Sequence, residues 1–132
     1  MNYSHIARYQ LPLLLWLVII FFLSAIPNVP TFKFIIGPDK LAHAGIYFVL
    51  CMLSMRALYY QDVWTWGRDH ALLMALLFTF LYGILDEVHQ IFVPGRWADV
   101  YDVCADAFGG LLFAAYLKGR DRWRKRDQGA AV

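Results

Sequence analysis

The sequence has few charged residues, only two cysteines and none of the short motifs that mark common hydrolases. Charged side chains are 17% of the 132 residues, and Cys51 and Cys104 both lie inside apolar runs. Two such cysteines give neither a disulfide framework nor a zinc knuckle. There is also no Ser-His-Asp order, no glycine-rich phosphate loop and no HExxH pattern. The sequence therefore gives no sign of a disulfide-stapled domain or of a familiar hydrolase.

Apolar residues, in contrast, are abundant. They make up 61% of the chain, against about 45–50% in soluble domains, and the mean hydropathy is +0.49. The apolar runs have roughly the length of ~20 residues that a membrane-spanning helix needs. We predict one domain over residues 1–132, an all-α polytopic bundle of four transmembrane helices. The predicted spans are 11–26, 41–60, 71–92 and 100–117.

The first span is short, so we expect it to include residues upstream of Leu11. A cleaved signal peptide is the competing interpretation, but Ser24-Ala25-Ile26-Pro27 is a poor cleavage site. Residues 27–38 form a predicted loop, 61–70 a polar connector with interfacial tryptophans, and 118–132 a basic tail.

Lysine and arginine residues are distributed unequally between the two predicted sides of the membrane, and the richer side is expected to be cytoplasmic. We therefore predict that both termini are inside and that the loops near Asp39 and Arg96 face outward. Nucleic-acid binding is not expected from the tail. The richer side holds Arg8, Arg56, Arg68, Lys118, Arg120, Arg122, Arg124, Lys125 and Arg126, and the other holds Lys33, Lys40 and Arg96.

Polar residues recur at helical spacing near the outer ends of the last three spans. Residues three, four and seven positions apart share a helix face, so each helix carries a polar stripe, and we expect the stripes to face one another. The stripes are Asp39, Lys40, His43 and Tyr47; Gly83, Asp86, Glu87 and Gln90; and Asp99, Asp102, Asp106, Gly109 and Phe113.

Carboxylates inside a span are costly, about 2.5–3.5 kcal/mol each at mid-bilayer. The outer side has six acids and three bases, so protonation, a water-filled funnel or a bound cation must compensate. Lys40 and Arg96 could instead have a purely structural role, in which they pair with Asp39, Asp86 or Asp102. His43 could likewise be a packed histidine that donates to a carboxylate. We expect His89 to face away from Gln90, and the glycines to permit close helix approach.

Arg96 follows the Pro94-Gly95 turn and is expected on a loop, where a planar guanidinium suits phosphate or carboxylate. Glu87 is the nearest candidate to orient it. We predict that His43, Glu87, Arg96 and Asp102 surround one outward-facing concavity.

Two ordered motifs give the chain a resemblance to a known family. Residues 39–50 read as DKxxHxxxYxxL, and residues 86–110 supply DExxQ, PGR, two later aspartates and a Gly-Gly pair. This pattern, over residues 38–117, resembles VanZ-like membrane proteins, although Asp106 stands where that family often has asparagine. The resemblance implies a multi-helix protein of the bacterial cytoplasmic (inner) membrane, in a family whose namesake is linked to resistance to the glycopeptide teicoplanin.

The leading functional hypothesis is a cell-envelope protein that binds a membrane lipid or a lipid-linked envelope precursor, with or without chemistry. In an enzymatic version, Glu87 or Asp86 is the general base and His43 an acid or base. The sequence assigns no metal ligands and does not identify a cofactor, and it is compatible with a homo-oligomer. The alternatives are a structural or accessory subunit and a small proton- or cation-coupled carrier. The binding candidates are Asp39, Lys40, Tyr47, Gln90, Arg96, Asp99, Asp102 and Asp106.

Overall fold

The computed structural model describes residues 6–27 and 37–130, and in these segments the regular structure is helical. A π-helical segment, Ile6–Gln10, runs directly into the first α-helix. The α-helices are α1 (Leu11–Ser24), α2 (Pro38–Tyr59), α3 (Thr65–Asp69), α4 (Ala71–Gln90) and α5 (Val100–Ala130).

Within the described residues, four helices are long and apolar enough to cross a membrane, which confirms the predicted fold class. The first of these spans is Ala7–Ser24, so it does include residues upstream of Leu11. The direction in which this span crosses the membrane stays a prediction. Most of the loop predicted over residues 27–38, including Lys33, lies outside the described residues. The other spans are Pro38–Tyr59, Ala71–Gln90 and Val100–Trp123.

Two predicted boundaries differ from the structure for local reasons. Helix α2 begins at Pro38 rather than Leu41, because proline fits the first helical position and the preceding Gly37 is extended. Helix α5 does not end at Leu117 but continues to Ala130, since the basic tail contains no proline that would stop it.

Helix α2 is the centre of the bundle and packs most extensively against α5 and α4, whereas α1 is the least buried span. The α2–α4–α5 core is built around Cys51, Ala75 and Phe113. On the other side of α2, Ile20 of α1 packs against Tyr47 and Leu50.

Helices α2 and α5 approach each other most closely at Gly109. A Cβ atom at this position would lie 2.2 Å from the carbonyl oxygen of Ala44 and 3.0 Å from the amide nitrogen of Phe48. Because backbone atoms occupy that space, glycine is required for this approach. The close crossing brings the first turns of α2 and α5 together, and the polar residues of both helices lie there.

Candidate functional site

A group of mostly buried polar side chains lies where the first turns of α2 and α5 meet the last turn of α4. We call it the polar cluster. It holds four carboxylates against one lysine and one histidine. Its members are Lys40, His43, Glu87, Asp99, Asp102 and Asp106.

Lys40 neutralises part of this charge. Its ammonium group donates to Asp99 Oδ2 at 2.8 Å and to Asp102 Oδ1, and it lies 3.4 Å from Asp39 Oδ2. The Lys40 side chain is only 10% exposed. The predicted structural pairing of Lys40 with acids is therefore present, and it ties the start of α2 to the start of α5.

His43 and Asp106 form the deepest contact of the polar cluster. The Nδ1 atom of His43 lies 2.9 Å from Oδ1 of Asp106, and Asp106 is fully buried. An ionised carboxylate can only accept, so His43 donates to it through Nδ1. The Nε2 atom of His43 is 3.9 Å from Asp102 Oδ1, so it faces the other acids of the cluster.

Glu87 lies between α4 and the segment that enters α5. Its Oε2 accepts the backbone N–H of Asp99 at 2.7 Å, which holds the loop end in place. Its Oε1 is buried and has no hydrogen-bond partner among the described residues. A buried polar atom without a partner is uncommon in folded proteins, so this oxygen is a candidate contact for a ligand.

Arg96 does not pair with Glu87, and the prediction that Glu87 orients its guanidinium is wrong. Instead Nε donates to the Ile26 carbonyl at 3.1 Å and Nη2 to the Leu23 carbonyl at 3.2 Å. The third contact is Nη1 to Gln90 Oε1 at 3.4 Å. The carbonyls of Leu23 and Ile26 lie at the C-terminal end of α1, where a cation is favourable. Arg96 therefore anchors α1 to the rest of the bundle.

A cleft that is partly open to solvent lies beside the polar cluster, between α1, α2 and α4, and the empty space in it, including the part open to solvent, is about 340 Å³. Its polar wall includes Asp86 and Gln90, which hydrogen-bond to each other at 3.2 Å. Its remaining wall is apolar, and His43 joins the cleft to the polar cluster. The lining residues are Ile20, Leu23, Ser24, His43, Ile46, Tyr47, Asp86, Gln90 and Arg96.

Two aromatic neighbours of the cleft differ in their roles. The Tyr47 ring is 99% buried, and its hydroxyl has no hydrogen-bond partner among the described residues. His89 lies on another face of α4, as predicted, where Nδ1 is 3.1 Å from Ser24 Oγ and the ring stacks on Phe21. Tyr47 therefore belongs to the cleft, while His89 holds α1 against α4.

The polar stripes of α2, α4 and α5 do face one another. His43, Glu87 and Asp102 meet in the polar cluster, whereas Arg96 lines the adjoining cleft and hydrogen-bonds to Gln90, which in turn bonds to Asp86. The single concavity that was predicted is thus two adjoining regions. None of the three carboxylates at positions 86, 87 and 102 points to lipid, since their exposed fractions are 7%, 4% and 8%.

The contribution of α1 to the site was not predicted. Leu23 and Ser24 line the cleft, and the carbonyl of Leu23 receives Arg96. One signal was present, because Ser24 is the only polar side chain in the run from Leu11 to Ile26.

We expect Arg96→Lys to loosen the end of α1. Lysine keeps the positive charge near the helix end but cannot hold two carbonyls and the Gln90 amide together. A hydrogen bond from a charged donor is worth about 1.5–3 kcal/mol when buried, and Arg96 is partly exposed, so we expect a loss of ~1–2 kcal/mol. The first measurement is the melting temperature in detergent, which should fall. The second is maleimide labelling of Ser24→Cys in a Cys104→Ser background, which should become faster when the end of α1 loosens.

Arg68→Lys is the matched control, because Arg68 is paired only with the exposed Asp69 across 3.8 Å. It should leave both readouts unchanged. Unchanged labelling and melting for Arg96→Lys would contradict the anchoring role.

These features define a class of protein: a multi-pass helical membrane protein with a buried charged cluster beside an amphipathic cleft. The family model described as VanZ/LLP1 matches residues 9–119. The chain therefore belongs to the VanZ/LLP1 family, as the motifs predicted. No curated protein and no solved structure matches the chain.

Proposed function

We propose that this protein is a cell-envelope membrane protein that binds the polar head of a lipid, or of a lipid-linked envelope molecule, in the cleft between α1, α2 and α4. The family supports a VanZ-like membrane protein. The finer assignment, to a headgroup in this cleft and to the outer face of the bacterial inner membrane, is our proposal.

The mixed lining of the cleft is the observation that carries the proposal. Ile20, Leu23 and Ile46 offer an apolar wall that suits an acyl or prenyl chain, while Gln90 and Arg96 offer hydrogen-bonding groups. Ligand sites in general combine a mostly apolar lining with a few placed polar groups. A cleft of this kind beside a span that is weakly packed on the bundle has access to molecules already in the bilayer.

Arg96 is the basic side chain that the cleft offers to a phosphate. Its guanidinium has five donors, and three hydrogen bonds are used within the protein, so two remain for a ligand oxygen. Lys40, in contrast, is already shared among three acids. We therefore assign phosphate binding to Arg96 rather than to Lys40.

The catalytic version of the proposal rests on His43 and Glu87. His43 lines the cleft, its Nδ1 contacts Asp106, and Glu87 has an unpaired buried oxygen nearby. A base within reach of a bound headgroup is the first requirement for general base catalysis. Asp86, the other candidate base, is hydrogen-bonded to Gln90, and we propose that it orients this amide.

We expect Leu23→Trp to prevent headgroup binding, because an indole ring at this position fills the cleft. Leu15→Trp is the matched control, since Leu15 is the same residue on the same helix, is 55% exposed against 45% for Leu23, and does not line the cleft. The measurement is native mass spectrometry of the protein in detergent with phosphatidylglycerol and with a polyprenyl phosphate as probes.

Binding of either probe by the parent protein and by Leu15→Trp, with loss in Leu23→Trp, would support the proposal. Binding of phosphatidylglycerol would indicate a bulk membrane lipid as the ligand, and binding of the polyprenyl phosphate would indicate a lipid-linked carrier. Equal binding by the two variants, or none by the parent protein, would refute it.

A structural role is the second candidate for part of the site. The favouring observation is the position of Lys40, which joins α2 to Asp99 and Asp102 at the start of α5. We propose that this half of the polar cluster fixes the helix arrangement, while the half around His43 and Glu87 serves the cleft.

A further inference from the structure

We propose that His43, Glu87 and Asp102 bind one divalent transition-metal ion of the zinc or manganese type. Each residue offers one potential ligand atom, and these atoms all lie within 4.8 Å of one another. The three residues come from three different helices, α2, α4 and α5, so the helix packing creates this set and no local sequence motif does.

The unpaired oxygen of Glu87 is the first independent support. Glu87 is only 4% exposed, and its Oε1 is buried with no hydrogen-bond partner among the described residues. Leaving a charged oxygen buried and unpaired is costly. A cation beside it would remove that cost, whereas Asp99 N–H already satisfies the other oxygen.

The environment of His43 is the second independent support. Histidines that bind metals almost always donate their other ring N–H to a carboxylate or carbonyl, which fixes the tautomer and the ring orientation. His43 Nδ1 is in this arrangement with the fully buried Asp106 at 2.9 Å. Its Nε2, the ligating atom, is thereby turned toward Asp102.

The donor set indicates which ions fit. One imidazole and two carboxylates suit zinc, manganese or ferrous iron better than the softer ions that thiolates select. Zinc bonds to such donors are about 2.0–2.2 Å long, which places tetrahedral ligand atoms ~3.4 Å apart. Ligand atoms as far apart as 4.8 Å must therefore approach each other by up to ~1.4 Å. Three protein ligands leave a further position open, and His43 places that position at the cleft.

Lys40 is the group that the ion must accommodate, because its ammonium donates to Asp102 Oδ1. Two other carboxylates, Asp39 and Asp99, also contact this ammonium. Lys40 thus keeps its charge compensated by these two acids when Asp102 turns one oxygen to the metal.

The test uses the full chain in detergent, purified without a histidine tag, treated with chelator and titrated with zinc chloride or manganese chloride in a calorimeter. We expect binding of one ion per chain. Glu87→Gln keeps an oxygen for Asp99 N–H but removes the charge, and it should weaken binding about tenfold or more, as should His43→Gln. Asp106→Asn, which alters only the positioning of His43, should weaken binding by about the same factor.

His70→Gln is the control, since His70 is an exposed histidine on the connector. It should leave binding unchanged, and circular dichroism should confirm that all variants keep their helical content. No binding of either ion by the parent protein would overturn the proposal. Binding that survives both Glu87→Gln and His43→Gln would also overturn it.

The metal site stands independently of the headgroup proposal. Leu23→Trp fills the cleft but replaces none of the three ligands, so it should abolish probe binding and leave zinc binding intact. Loss of zinc binding in Glu87→Gln together with retained metal binding in Leu23→Trp would support the metal site whatever the cleft binds.

Discussion

Replacing Lys40 by methionine should lower the free energy of unfolding by ~3–5 kcal/mol, because breaking a buried ion pair leaves uncompensated charges. The Lys40 ammonium contacts Asp39, Asp99 and Asp102, and its side chain is 10% exposed. Without the ammonium, these carboxylates repel one another at the junction of α2 and α5. Unfolding by SDS in mild detergent, followed by circular dichroism, measures the change.

Two further variants test this account of Lys40. Lys118→Met removes an exposed lysine of α5, and its effect should stay below about 0.5 kcal/mol. Adding Asp102→Asn to Lys40→Met should recover part of the stability, since residues in one salt-bridge network are not additive. A Lys40→Met protein as stable as Lys118→Met would show that the network contributes nothing to the fold.

Replacing Gly109 by alanine should separate α2 from α5 and cost ~3 kcal/mol, at the upper end of the usual range for overpacking. The added Cβ would lie 2.2 Å from the Ala44 carbonyl oxygen. This neighbour is backbone, so it cannot rotate away as a side chain would, and the helices themselves must move. The same unfolding titration measures the loss, and the displaced Asp102 and Asp106 should also weaken zinc binding.

Neighbouring glycines provide matched controls for Gly109. The nearest atoms to a Cβ at Gly110 would be side-chain atoms, with the end of Leu76 closest at 3.3 Å, and a Cβ at Gly119 would meet nothing within 4 Å. We expect a small cost for Gly110→Ala and a slight gain for Gly119→Ala, because alanine favours an exposed helix. Equal stability of Gly109→Ala and Gly110→Ala would contradict the close approach.

Much of the fold could be predicted from local sequence properties. Hydropathy and length predicted four spans because crossing a bilayer imposes an apolar run of fixed length. Helical periodicity placed Gly83, Asp86, Glu87 and Gln90 on one face, and all four are buried. Burial of such a face follows from the cost of polar groups in lipid.

The ends of the helices were less predictable. The start of α2 at Pro38 depends on the extended conformation of Gly37, and the length of α5 depends on a tail that is polar but contains no proline. Polarity marks where a span leaves the membrane, but it does not determine where the helix itself ends.

The sequence by itself determined the class of protein, the family and the polar faces of three helices. Only the tertiary structure decided which polar groups meet. Lys40 reaches Asp99 across 59 positions, and Arg96 reaches Ile26 across 70, so no spacing rule relates these partners. Arg96 was expected beside Glu87 because the two are close in sequence, yet it caps α1, because the folded chain places its guanidinium within hydrogen-bond distance of the open carbonyls of that helix end.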